Sequence, residues 1–219
     1  MVMSLDDIRR YVRLHMDVEV EDLPDEVLDP FIAQGFDRIV QSEQRWPFYE
    51  TSDTFTTVIG GPTPMPTGLA RADAFIGDQG KIVWIPWDEG VVAYNGQSGI
   101  PVRWSQKGDQ LYFFPTPDQA YTITYSGYRS PTDWMAEGAG GVPDLPAILH
   151  QTVALWALYR SYAQQEDIEM SSGYKVQFDE ELRNYGRRLV EMPLEQPLIL
   201  NGGTGVRVPW PPLFDWQVS

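Results

Sequence analysis

Apolar residues recur at spacings of three and four at both ends of the chain and alternate in its middle, so helices are predicted to flank a β-rich insertion. Ser4 and Asp7 resemble a capping box, with Asp in place of Glu, ahead of Leu5, Ile8, Val12 and Met16. They predict a first helix over residues 4–16. A second begins at Pro24 or Pro30, with Asp22 or Asp29 as its cap. Its stripe is Leu28, Phe31, Ile32, Phe36, Ile39 and Val40, and it ends before Trp46-Pro47.

From residue 52 to residue 130 the pattern changes to short runs of β-branched and aromatic residues between turn signals. The predicted strands are Thr54–Ile59, Ala74–Ile76, Lys81–Trp87, Val91–Tyr94, Pro101–Ser105, Leu111–Phe114 and Tyr121–Tyr128. The last three read as an antiparallel meander. In the final strand Tyr121, Ile123 and Tyr125 fall on one face. Helical spacing returns with Asp144 as a cap, Pro146 in the first turn and a broad stripe from Ile148 to Ala163. A fourth helix follows from about Tyr174 to Val190.

These elements predict an α+β fold: an antiparallel helical bundle interrupted by an inserted antiparallel β domain, with an extended C-terminal tail. The expected divisions are 1–50 for the N-terminal helices, 51–135 for the insertion, 136–192 for the C-terminal helices and 193–219 for the tail. Leu28, Phe31, Ile39, Val153, Trp156 and Leu182 are expected to share one core. The tail holds Val208, Pro209, Trp210, Pro211, Pro212, Leu213, Phe214 and Trp216. Proline this dense excludes a helix or central strand, so its large apolar side chains need a partner surface. These eight residues are the candidate partner-binding set.

Composition narrows the chemistry. The 219 residues carry a net charge of -15, from 31 acidic and 16 basic side chains, which disfavours holding nucleic acid or an anionic membrane. There is no Cys, hence no disulfide or thiolate chemistry. The first residues lack the basic and apolar regions of a secretory signal. His15 and His150 are isolated histidines, better explained as one surface and one helix-face residue than as metal ligands. Gly77-Asp78-Gln79-Gly80-Lys81 has the wrong spacing for a phosphate loop and reads as a β-turn. Gly96-Gln97-Ser98-Gly99 is no nucleophile elbow, and Gly203-Thr204-Gly205 follows no strand. The carboxylate pairs Asp88-Glu89 and Asp179-Glu180-Glu181 read as solvated faces. No catalytic, cofactor or metal residue is assigned, and no enzyme activity is expected.

The order of parts resembles the head-to-tail adaptor (connector, or head-completion) proteins of tailed bacteriophages. The likeness rests on the helix pair leading to Arg45-Trp46-Pro47-Phe48, and on the passage from Leu111-Tyr112-Phe113-Phe114-Pro115 through Tyr121-Thr122-Ile123-Thr124-Tyr125. Leu145-Pro146-Ala147-Ile148-Leu149-His150 then opens a long Ala-rich helix. The resemblance implies a virion structural protein of the neck, made in the host cytoplasm. It implies a homo-oligomeric ring, dodecameric by resemblance, that lies beneath the portal protein and joins it to a tail or nozzle protein. Duplex DNA is expected to pass through without tight binding, with Glu19, Glu21, Asp22, Glu180 and Glu181 as candidates for lining the channel. The alternative is a carbohydrate-binding or host-recognition β module on a helical scaffold. There Trp84, Trp87, Trp104, Tyr112 and Phe114 form a stacking platform, though aromatics in short strands read first as sheet packing.

Overall fold

The computed structural model describes residues 1–43 and 45–190. Its helices are α1 (Leu5–Met16), α2 (Asp25–Ser42), α3 (Trp87–Ala93), α4 (His150–Gln164) and α5 (Ile168–Val190). Its strands are β1 (Glu50–Thr56), β2 (Thr63–Pro64), β3 (Leu69–Gly77), β4 (Gly80–Trp84), β5 (Arg103–Lys107), β6 (Gln110–Phe114) and β7 (Thr122–Arg129).

The capping box forms as the sequence predicts. Asp7 N–H donates to Ser4 Oγ at 3.2 Å, and Ser4 N–H donates to Asp7 Oδ2 at 3.0 Å. The second helix starts at Asp25, after Pro24, and accommodates Pro30 in its interior. Neither Asp22 nor Asp29 caps it. Asp29 instead accepts two hydrogen bonds from Arg9, at 2.8 and 2.6 Å, and Asp25 pairs with Arg9 and Arg13. The α1–α2 hairpin is thus tied by two arginines on one helix and two aspartates on the other. Asp144 does not cap α4 either. A 3-10 turn, Ala147–Leu149, leads into that helix, and the Asp144 carboxylate is taken by Arg129.

The last helix begins at Ile168, six residues before the predicted start. Asp167 supplies its first turn with an acceptor for Met170 N–H at 3.0 Å. Ile168 is 81% exposed, so this first turn adds no apolar stripe by which it could be recognised. Helices α1, α2, α4 and α5 share one apolar cluster. It includes Ile8, Leu28, Ile39, Val153, Trp156 and Phe178, with Phe31 and Leu182 packed against it. Gly35 lets α2 approach α4 closely: a Cβ there would stand 2.9 Å from Val153 O and 3.0 Å from Trp156 Cβ.

The seven strands form one sheet in the order β1-β7-β3-β4-β5-β6-β2. Phe55 on β1 lies 6.1 Å, ring to ring, from Phe113 on β6, although four strands intervene in the sheet order. The sheet therefore curls over a second apolar cluster made by Phe75, Ile82, Trp104, Leu111, Phe113, Ile123 and Tyr125. The alternation predicted for the last strand holds, with Tyr121, Ile123 and Tyr125 all buried.

Three expectations for the sheet are corrected. β4 and β5 pair in parallel, so the sheet is not wholly antiparallel. Eighteen residues, 85–102, separate them, and this crossover carries the chain back to run in the same direction. Within the crossover the predicted strand Val91–Tyr94 is the end of α3. Pro86 precedes the helix, Asp88 and Glu89 sit in its first turn, and Gly90 lies against the Phe114 ring. A Cβ at Gly90 would meet Phe114 Cε2 at 2.4 Å, a closeness the two-valine signal of Val91-Val92 cannot reveal. Finally, β5 and β6 form a hairpin but β7 leaves them to lie between β1 and β3. Pro115 and Pro117 remove backbone donors just after β6, where a returning strand would need them.

Candidate functional site

The sheet is joined to the helices at a compact polar junction. Arg129, the last residue of β7, donates to both oxygens of Asp144 at 2.6 and 2.7 Å. Thr132 N–H donates to the same carboxylate at 2.9 Å, and Tyr49 OH donates to Asp144 O at 2.8 Å. The Arg129 guanidinium lies 5.0 Å from the Tyr49 ring centroid. Arg129 holds the Asp144 carboxyl below the usual carboxylate range, and burial pushes the Tyr49 hydroxyl upward. This cluster ties the end of β7 to the segment that leads into α4. No local pattern announces it, because Tyr49, Arg129 and Asp144 come from three separate stretches of chain.

Beyond the junction the sheet presents apolar groups to solvent. Trp84 is 57% exposed at the end of β4, and Val92 on α3 is 80% exposed. Between α3, β6 and the loop after β1 lies a groove of about 240 Å³, lined by Pro62, Trp87, Val91, Tyr112 and Phe114. Lys107 Nζ stands 3.8 Å from the Trp87 ring centroid, and Tyr112 meets Trp87 edge-on at 6.0 Å. The Trp87 indole N–H has no hydrogen-bond partner among the described residues. A second concavity, of about 320 Å³, lies between α2 and residues 131–135 and is lined by Phe36, Asp37, Asp133 and Trp134.

A sheet braced against helices, with exposed aromatic and aliphatic groups on its far side, suits attachment to other proteins. Comparison with known families decides which kind. A model of the SU10 adaptor protein family matches residues 3–197. The chain belongs to that family. It is a phage head-to-tail adaptor, a bacteriophage structural protein. No curated protein matches the chain.

The match to the adaptor family runs from Met3, in the helical cluster, through the whole sheet and past α5. It ends before Val208, so the candidate partner-binding set from Val208 to Trp216 lies beyond it. Those eight residues also lie outside the described residues. The five candidate channel acids fall into two groups. Glu19, Glu21 and Asp22 are exposed in the α1–α2 connection, and Glu180 is exposed on α5. Glu181 is half-buried and accepts a 3.0 Å hydrogen bond from Thr152 Oγ1. The α1–α2 connection begins beside the other end of α4, where Tyr162 OH donates to His15 O. Ten residues of α4 separate these contacts, roughly 15 Å along its axis. The structure does not bring the two acidic groups together.

The platform of five aromatics is divided. Trp104 is buried in the sheet's cluster, Trp87, Tyr112 and the buried Phe114 line the groove, and Trp84 stands exposed. The histidines are also separate. His15 is exposed against Tyr11, with ring centroids 3.9 Å apart. His150 is buried, accepting from Met3 N–H at Nδ1 and contacting Leu145 O through Nε2, each at 3.0 Å. Among the described residues no group of three or more His, Cys, Asp or Glu is placed to hold a metal ion. No described helix is long and apolar enough to cross a membrane.

Proposed function

We propose that the adaptor assembles as a closed ring of identical subunits beneath the portal protein, extending the DNA channel towards the tail. The observation that carries this reading is the family match, which spans helices and sheet as one unit. Twelve subunits are expected from the resemblance to head-to-tail adaptors. The ring stands in the virion neck, and its subunits are made in the host cytoplasm. The helical core gives each subunit a rigid body. The sheet, tied to the helices by the Arg129–Asp144 pair, presents the exposed surface to neighbours and to a tail or nozzle protein. The segment from Val208 to Trp216 is assigned the partner contact, since aromatic side chains commonly dominate interface energy.

The role of the ring is passive towards DNA. With -15 charges per chain, its lumen repels phosphate and lets duplex DNA slide. Glu19, Glu21, Asp22, Glu180 and Glu181 are proposed to contribute to that field. The account has no catalytic step.

Co-sedimentation with purified portal tests the reading. Full-length adaptor is expected to travel with portal, and a chain lacking residues 206–219 is expected to stay folded and soluble but separate from it. Undiminished binding by the shortened chain contradicts the assigned role of the tail. The exposure of Trp84 favours one second reading, glycan stacking, and binding on a glycan array would support it.

A further inference from the structure

The groove between α3 and β6 has the chemistry of a receptor for proline-rich chain. Aromatic rings line it, and Pro62 and Val91 complete its apolar wall. Grooves of this kind take prolyl segments, whose φ is already fixed and whose ordering cost is therefore low. At about 240 Å³ it falls below the roughly 300 Å³ at which sites for drug-sized ligands begin. A few small rings laid along it match its size better than a large compact ligand.

The same chain carries Val208-Pro209-Trp210-Pro211-Pro212-Leu213. The course of α5 fixes where the described chain ends. Ser171 Oγ donates to Tyr159 O and Thr152 Oγ1 donates to Glu181, so α5 runs back along α4 in the opposite direction. It continues nine residues past Glu181, to Val190, whereas α4 begins two residues before Thr152, so α5 runs roughly 10 Å beyond the start of α4. There the chain has just entered the helices from β7, through Arg129 and Asp144. Eighteen further residues lead to Val208, enough for a reach of up to roughly 60 Å. Charge also fits. Lys107 lies over the Trp87 ring at the groove, and Asp215 follows the prolines by three residues.

We propose that the groove formed by Trp87, Val91, Tyr112, Phe114 and Pro62 binds the Val208–Leu213 segment of a copy of this chain. The proposal deepens the adaptor reading by giving the tail an address, and to that extent it rests on that reading. Prolines lie against the Trp87 and Tyr112 rings, and Asp215 approaches Lys107.

Photo-crosslinking of the full-length protein tests it. With p-benzoylphenylalanine replacing Trp210, irradiation is expected to join position 210 to residues 87–91 or 112–116, as mapped by mass spectrometry. Val91 is exposed, so Val91→Arg blocks the groove without disturbing the core. The crosslink is expected to vanish in Val91→Arg at an unchanged melting temperature, and to weaken when Pro211 and Pro212 are both replaced by Ala. A peptide of residues 206–216 added in excess is expected to compete it away. Crosslinks elsewhere, no crosslinks, or crosslinks indifferent to Val91→Arg overturn the assignment. Portal co-sedimentation on the same samples separates the two ideas. Binding to portal without a groove crosslink removes the groove assignment alone. A groove crosslink without ring or portal complex removes the adaptor assembly alone.

Discussion

The carboxylate of Asp144 gathers contacts where the sheet meets the helices. It accepts from both nitrogens of the Arg129 fork and from Thr132 N–H, while its own carbonyl holds Tyr49. Such bidentate, charge-assisted bonds carry direction as well as energy. Both partners are partly accessible to solvent, which lowers the value of the pair. Asp144→Asn is expected to cost about 1–2 kcal/mol at neutral pH. The sign of its pH dependence follows from the depressed carboxyl. Stabilisation is complete above the ordinary carboxylate value near 3.8 and is lost as pH falls through the lower folded value. Denaturant midpoints of wild type and variant are therefore expected to differ by a constant amount between about pH 5 and 8, and to converge in stronger acid.

At the scale of elements, α2 and α4 meet where Gly35 faces Val153 and Trp156. The Trp156 ring packs on Phe178 at 4.9 Å and Tyr159 at 5.1 Å, with the Arg38 guanidinium 5.4 Å from its centre. Trp156→Ala opens a cavity at the crossing of three helices. It is expected to cost about 3–5 kcal/mol, a large part of a typical stability of roughly 5–15 kcal/mol. An unchanged melting temperature would contradict the shared core. This core was legible in the sequence because Leu28, Ile39, Val153 and Trp156 repeat at helical spacing, and spacing alone places them on inward faces. α1 was legible for the same reason, aided by its capping box. The sheet was harder to read. β1 holds one inward aromatic, Phe55, amid exposed threonines and acids, so its register carried little pattern. The sequence places strands at Lys81–Trp87 and Val91–Tyr94 where α3 forms, because the close approach of Gly90 to Phe114, distant in sequence, leaves no local pattern. The groove was half visible. Trp87, Tyr112 and Phe114 stood out as aromatics, but their division from Trp84 and Trp104 depends on a curl that no single strand encodes.

On the scale of the whole molecule, the adaptor joins two apolar clusters through one polar junction and carries a strong excess of acid. Repulsion between like charges is screened over about 8 Å at physiological salt, so it acts on DNA that lies close to the wall. The isolated protein and its ring are both expected to show no measurable affinity for duplex DNA at physiological salt. An anisotropy titration with tight, salt-sensitive binding would remove the repulsive channel from the account. The assembly itself is the central claim, and electron microscopy of the purified adaptor mixed with portal tests it most directly. The account predicts closed rings seated coaxially on the portal, with a central opening wide enough for duplex DNA. Portal particles that remain bare beside dispersed single subunits would contradict it.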